Sequence, residues 1–145
     1  MLMAINEGRV DGCEYRQADI VHFATTVETI ADAGLAFVFY DYNATLDFAD
    51  CYNDLKDLDK VDWDLFYESP RRDGYCAYWF STASNPRYIR RMETRQAEFL
   101  VHKQVPLDLM NCIGVYSEAK VADVKKILGQ AKIDIPVEVK TAWYY

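Results

Sequence analysis

The run Leu35-Ala36-Phe37-Val38-Phe39-Tyr40 is almost wholly apolar and rich in aromatic side chains. It has no polar face to turn to water, so it predicts a central strand covered on both sides. The segments around it supply further elements. Residues 19–26 read as a strand, and Thr26 precedes a short helix over 27–33 that Gly34 stops. Asn43 is placed to cap a helix over 44–52, whose apolar positions 46, 48, 49 and 52 fall mostly on one face. Asp62 is placed to cap a helical turn over 63–67, which Pro70 closes. Residues 95–101 read as a strand, 106–110 as a helical turn, 113–116 as a strand, 118–128 as an amphipathic helix ended by Gly129, and 137–144 as a terminal strand. Strands and helices mix without strict alternation, which gives the α+β class.

The chain of 145 residues reads as a single domain over 1–145, able to bury roughly 70% of its unfolded surface. No apolar run approaches the roughly 18 residues of a membrane span, and the start lacks the basic and long apolar regions of a signal peptide. The expectation is a soluble, cytoplasmic protein with no membrane partner. Cys13, Cys51, Cys76 and Cys112 are scattered without a Cys-x-x-Cys pair, and His22 and His102 add no ligand spacing. Reduced, mostly buried thiols are expected, with no metal site and no disulfide framework.

The net charge of −7 speaks against a nucleic-acid partner only if it is evenly spread. It is not. Between Asp41 and Glu68 nine acidic side chains face only Lys56 and Lys60. Over 71–103 the balance reverses: Arg71, Arg72, Arg87, Arg90, Arg91, Arg95 and Lys103 face Asp73, Glu93 and Glu98. A phosphate backbone responds to the local field rather than to the total.

The basic segment leads into Arg95-Gln96-Ala97-Glu98-Phe99-Leu100-Val101-His102. On a strand, Gln96, Glu98 and Leu100 share one face while Ala97, Phe99 and Val101 share the other. Glu98 thus stands in an apolar strand, where a carboxylate is costly unless it is paired or lies at the edge of a cleft. From the pattern alone, a Glu on the solvated face of an edge strand, or one paired with a nearby Arg, is the favoured reading. Its company shifts the balance. Tyr75, Tyr78, Trp79, Phe80 and Tyr88 lie among the arginines directly before it. Cations for phosphates and flat rings for bases are what single-stranded nucleic acid needs. The alternative is that the adjacent aromatics are core and the arginines a solvated rim, with Tyr78 or Phe80 in the core on either reading.

These segments resemble the DarT family of NAD-dependent ADP-ribosyltransferases. The likeness is carried by residues 95–102, by Val105-Pro106-Leu107, by Ile113-Gly114-Val115-Tyr116 and by the closing Trp143-Tyr144-Tyr145. Upstream, Phe37-Val38-Phe39 with Asp41-Tyr42-Asn43-Ala44, and the stretch from Leu58 to Trp63, also resemble family segments. The resemblance implies an ADP-ribosyltransferase-like α+β fold with a split two-sheet core, NAD as co-substrate and no metal. It implies transfer of ADP-ribose to thymidine in single-stranded DNA, with Glu98 as the catalytic carboxylate. It implies an acceptor loop over about 77–96, in which Arg91 and Arg95 contact phosphates or organise the loop, Tyr88 stacks on a base and Gln96 contacts substrate. A macrodomain antitoxin is the partner that such a toxin implies.

Family members carry an NAD-binding His and a catalytic Arg before the position that matches Met1. The resemblance therefore implies an N-terminally incomplete transferase domain here. The alternative to an enzyme is a fragment that binds single-stranded nucleic acid, or that pairs with a longer relative.

Overall fold

The computed structural model describes residues 2–68, 90–91 and 93–144, which divide into two compact units. One unit comprises Met1–Thr29 with Val105–Tyr145, and the other Ile30–Gln104. Among the described residues no helix is long and apolar enough to cross a membrane.

In chain order α1 (Leu2–Asn6), β1 (His22–Ala24) and α2 (Val27–Asp32) come first. β1 pairs antiparallel with β5 (Cys112–Val115), setting His22 opposite Gly114, and β5 pairs parallel with β6 (Val137–Val139). Parallel neighbours need a crossover, and α4 (Glu118–Ala131) provides it. Its Val121, Val124 and Leu128 pack on buried Ile113, Val115, Ile135 and Val137. The helix does not stop at Gly129 as its sequence predicts. It runs to Ala131, and Lys132 takes the left-handed conformation at φ 55°. There the Ile133 N–H returns to the Leu128 carbonyl at 3.0 Å, and both side chains join the apolar cluster. That shared burial, rather than the glycine, sets the end.

The expected terminal strand is also shorter. After Val139 the chain turns through a 3₁₀ segment, Thr141–Trp143, because two aromatics have places to fill. Trp143 lies against Gly114, and fully buried Tyr144 donates its hydroxyl to the Ile20 carbonyl at 2.7 Å.

In the second unit, β2 (Phe37–Tyr40) is central, flanked antiparallel by β3 (Cys51–Tyr52) and β4 (Glu98–Val101). The register sets Phe39 opposite both Phe99 and Tyr52, and Phe37 opposite Val101. Residues directly opposite share a face, so one side of the sheet is aromatic. Phe37 stacks on Phe99 at 4.9 Å between centroids, and Phe39 on Tyr52 at 5.2 Å. The second face carries Val38, Tyr40, Cys51, Glu98 and Leu100. Leu100 is 44% exposed, so β2 is central as its sequence predicts but less fully covered on this side.

The helix expected over 44–52 is absent. Residues 43–49 form turns and Cys51–Tyr52 extends the sheet. The Asn43 side chain turns back on Thr45, and the Asp41 carboxylate takes the Asp50 N–H at 2.9 Å. By contrast Asp62 caps α3 (Trp63–Tyr67) as read, accepting the Leu65 N–H at 3.0 Å. Pro70 lies outside the described residues.

Candidate active site

Glu98 opens β4 on the face it shares with Leu100, half-buried and directly opposite Tyr40. Its Oε2 accepts the backbone N–H of Ala44 at 3.2 Å. Two residues before it, Gln96 lies in the turn that precedes the strand, and its Oε1 accepts from Nδ2 of Asn43 at 3.4 Å. Asn43 Oδ1 in turn accepts the Thr45 N–H at 2.9 Å and the Thr45 hydroxyl at 2.6 Å. The loop after β2 and the start of β4 thus close on each other through Glu98 and Gln96. Asn43 and the Ala44 N–H are the residues that sequence reasoning missed. The available signal was Asn followed two positions later by Thr, a pattern that makes a local turn as readily as it caps a helix.

Tyr40 sits between Glu98 and Cys51 in the cross-strand register. Its phenol is held above the ordinary value, first by its side-chain bond to Cys51, then by electrostatic interaction with the same residue, by burial and by the nearby Glu98. It therefore stays a protonated hydroxyl at neutral pH, beside a carboxylate. Cys51 is exposed, while Cys13 and Cys112 are half-buried, so the free thiols described are less buried than expected. Cys76 lies outside the described residues.

Of the arginines ahead of β4, the described Arg90, Arg91 and Arg95 are engaged, while Arg71, Arg72 and Arg87 lie outside the described residues. Arg91 is 2% exposed, and its guanidinium donates to the Glu68 carboxylate at 3.2 Å. Arg95 donates from Nε to the Phe66 carbonyl at 2.8 Å and from its terminal nitrogen to the Glu68 carbonyl. Both hold the C-terminal end of α3. Arg90 is exposed and reaches Asp62 at 3.6 Å. The acidic stretch thus supplies partners for the basic one, which composition alone did not reveal. Tyr88, with most of the segment 77–96, lies outside the described residues, as do Tyr75, Tyr78, Trp79 and Phe80.

At the other end of the β2–β4 pair, Ala36, Phe37, Val38, Leu100, Val101 and His102 line a cavity of about 330 Å³. Its walls are mainly apolar. No group of three or more His, Cys, Asp or Glu among the described residues could hold a metal ion.

The family model described as ssDNA thymidine ADP-ribosyltransferase, DarT, matches residues 1–145. The chain belongs to the DarT family. A DNA ADP-ribosyl transferase of Thermus sp. (strain 2.9) is 35% identical over 149 residues, covering 100% of this chain and 63% of the relative. That of Escherichia coli O127:H6 is 27% identical over 146 residues, again covering all of this chain and 62% of the relative. Thermus sp. 2.9 DarT solved in complex with ADP-ribosylated ssDNA superposes with a TM-score of 0.80 at 33% identity, over 99% of this chain and 63% of that one. The same DarT in complex with NAD+ gives 0.80 and 33%, over 99% and 66%. The chain therefore spans less than two thirds of these curated relatives. The helices and two small sheets give an α+β fold of the ADP-ribosyltransferase-like kind, matching the Thermus sp. 2.9 DarT structure.

Proposed function

We propose that this chain carries the Glu98-bearing part of a transferase that moves ADP-ribose from NAD to thymidine in single-stranded DNA. The carrying observation is a half-buried carboxylate fixed by a backbone N–H at 3.2 Å, within a DarT chain. Complexes of the Thermus relative with NAD+ and with ADP-ribosylated ssDNA support the choice of both substrates.

In the step, the bond between ribose C1′ and the nicotinamide nitrogen breaks, and its electron pair leaves with nicotinamide. A thymine nitrogen attacks C1′ and forms the new bond, giving up its proton. Glu98 receives that proton and, while ionised, stabilises the positive charge that develops on the ribose. Gln96, tied to the same loop as Glu98, orients substrate beside it. Arg91 and Arg95 organise the acceptor loop by anchoring its end to α3, and Tyr88 stacks on a base. No metal takes part. The protein acts in the cytoplasm, and a macrodomain protein is the antitoxin that would reverse or block the modification.

The share of the relatives that the chain spans favours a second reading, in which residues 1–145 are a catalytically incomplete module that binds single-stranded nucleic acid without turnover. One experiment separates them. The chain, alone and joined to the part of the Thermus sp. relative outside the match, is incubated with NAD and an oligonucleotide with or without thymidine. A mass gain of one ADP-ribose on the thymidine-containing strand supports the transferase. Salt-sensitive binding with no mass gain from either protein supports the binding module and sinks the first reading.

A further inference from the structure

Glu98 can act on a substrate only if its carboxylate is aimed. A carboxylate on the first residue of a strand has several rotamers, and only contacts from outside the strand select one. The described contact is the Ala44 N–H, and its direction is set by the turn in which it sits. That turn is held by Asn43, whose Oδ1 takes both the N–H and the hydroxyl of Thr45, at 2.9 and 2.6 Å. The other half of the same amide donates to Gln96 at 3.4 Å. One side chain therefore spans the turn and the approach to β4. The Ala44–Glu98 and Asn43–Gln96 bonds are part-buried and so partly shielded from competing water, whereas the two bonds to Thr45 are exposed.

We propose that Asn43 is a positioning residue for Glu98. It acts on no substrate atom. Its Oδ1 fixes the Asn43-Ala44-Thr45 turn so that the Ala44 N–H meets Glu98 Oε2, and its Nδ2 draws Gln96 to the same loop. Its importance for turnover rests on the reading that Glu98 is the catalytic carboxylate; its structural effect does not.

The test follows the Ala44 amide by hydrogen exchange in the 145-residue chain, which needs neither NAD nor DNA. Asn43→Ala and Glu98→Ala are each expected to speed exchange about tenfold, the net worth of one hydrogen bond. The double variant should exchange no faster than either single, because one bond is lost in all three. Asn43→Asp keeps an oxygen acceptor for Thr45 and should retain the protection. Thr45→Val, which removes one of the two donors to Asn43, should give a smaller rise and serves if Asn43→Ala does not fold. Wild-type protection in Asn43→Ala, or equal loss in Asn43→Asp, overturns the proposal. In the oligonucleotide assay with the joined protein, Asn43→Ala should lower kcat about 10- to 100-fold with KM for NAD little changed. A changed KM with kcat intact also overturns it. A fully active Glu98→Gln would remove the catalytic reading while leaving the exchange result standing, so the two failures are distinguishable.

Discussion

Arg91 and Glu68 stand 23 positions apart in sequence yet form an ion pair at 3.2 Å, with the arginine side chain 3% and the glutamate 25% exposed. Breaking a pair this buried leaves a charge without its partner in a poorly solvated place. Arg91→Ala should therefore destabilise the protein by about 3–5 kcal/mol, read as a lowered urea midpoint. Glu68→Gln keeps an acceptor but leaves the buried Arg91 guanidinium without its counter-charge, so it should lower the midpoint as well. If Arg91→Ala leaves the midpoint unchanged but flattens the salt dependence of DNA binding, Arg91 serves phosphates and not the fold.

Gly114 lies on β5 where Trp143 crosses it. A Cβ there would fall 2.5 Å from Trp143 Cε3 and closer still to Cζ3. Gly114→Ala must push the indole outward, at about 1–3 kcal/mol for an overpacked site. Trp143 is already 40% exposed, so it has solvent to move into. A lower melting temperature with a red-shifted tryptophan emission is expected. An unchanged melt would mean that the ring is not seated on the glycine.

Lys120 meets Asp19 at 2.8 Å. The Asp19 carboxyl is held below its ordinary value, first by the side-chain bond to Lys120 and then by the Arg16 N–H. The Lys120 ammonium is raised by the same bond. A depressed carboxylate stabilises the fold above its unfolded pKa, about 3.9, and loses that contribution as pH falls through the folded value. A raised lysine stabilises below about 10.4 and loses it as pH rises through the folded value. The stability gap between wild type and Lys120→Met should therefore be present at neutral pH and shrink at both extremes. Urea titrations at pH 3 and 7 check the acid limb, and a gap that widens at pH 3 contradicts it.

What could be read from the sequence was what adjacent residues decide among themselves. The apolar run at Leu35–Tyr40 has only one way to hide two faces, and it became a central strand. Asp62 needed only the N–H of Leu65, three residues on, to cap its helix. Glu98 was legible as an unusual residue in an apolar strand, and its assigned face is the one observed. Contacts between distant segments were not legible. Positions 46, 48, 49 and 52 satisfy a helical spacing, yet pairing of Cys51–Tyr52 with β2 and the Asp41–Asp50 bond override it. Gly129 looks like a helix stop, but the burial of Leu128 and Ile133 carries the helix past it. The arginines were visible as charges, whereas Glu68 and the Phe66 carbonyl as their partners needed the fold.

Whether the Glu98 carboxylate drives transfer is tested by Glu98→Gln in the chain joined to the remainder of the Thermus sp. relative, following the oligonucleotide's mass with NAD present. Gln keeps the size and an oxygen for the Ala44 N–H but cannot take the thymine proton or carry the negative charge. The rate of ADP-ribose addition should fall about 10²- to 10⁴-fold, with the fold unchanged by circular dichroism. Modification by Glu98→Gln at the wild-type rate would show that the carboxylate is dispensable for transfer.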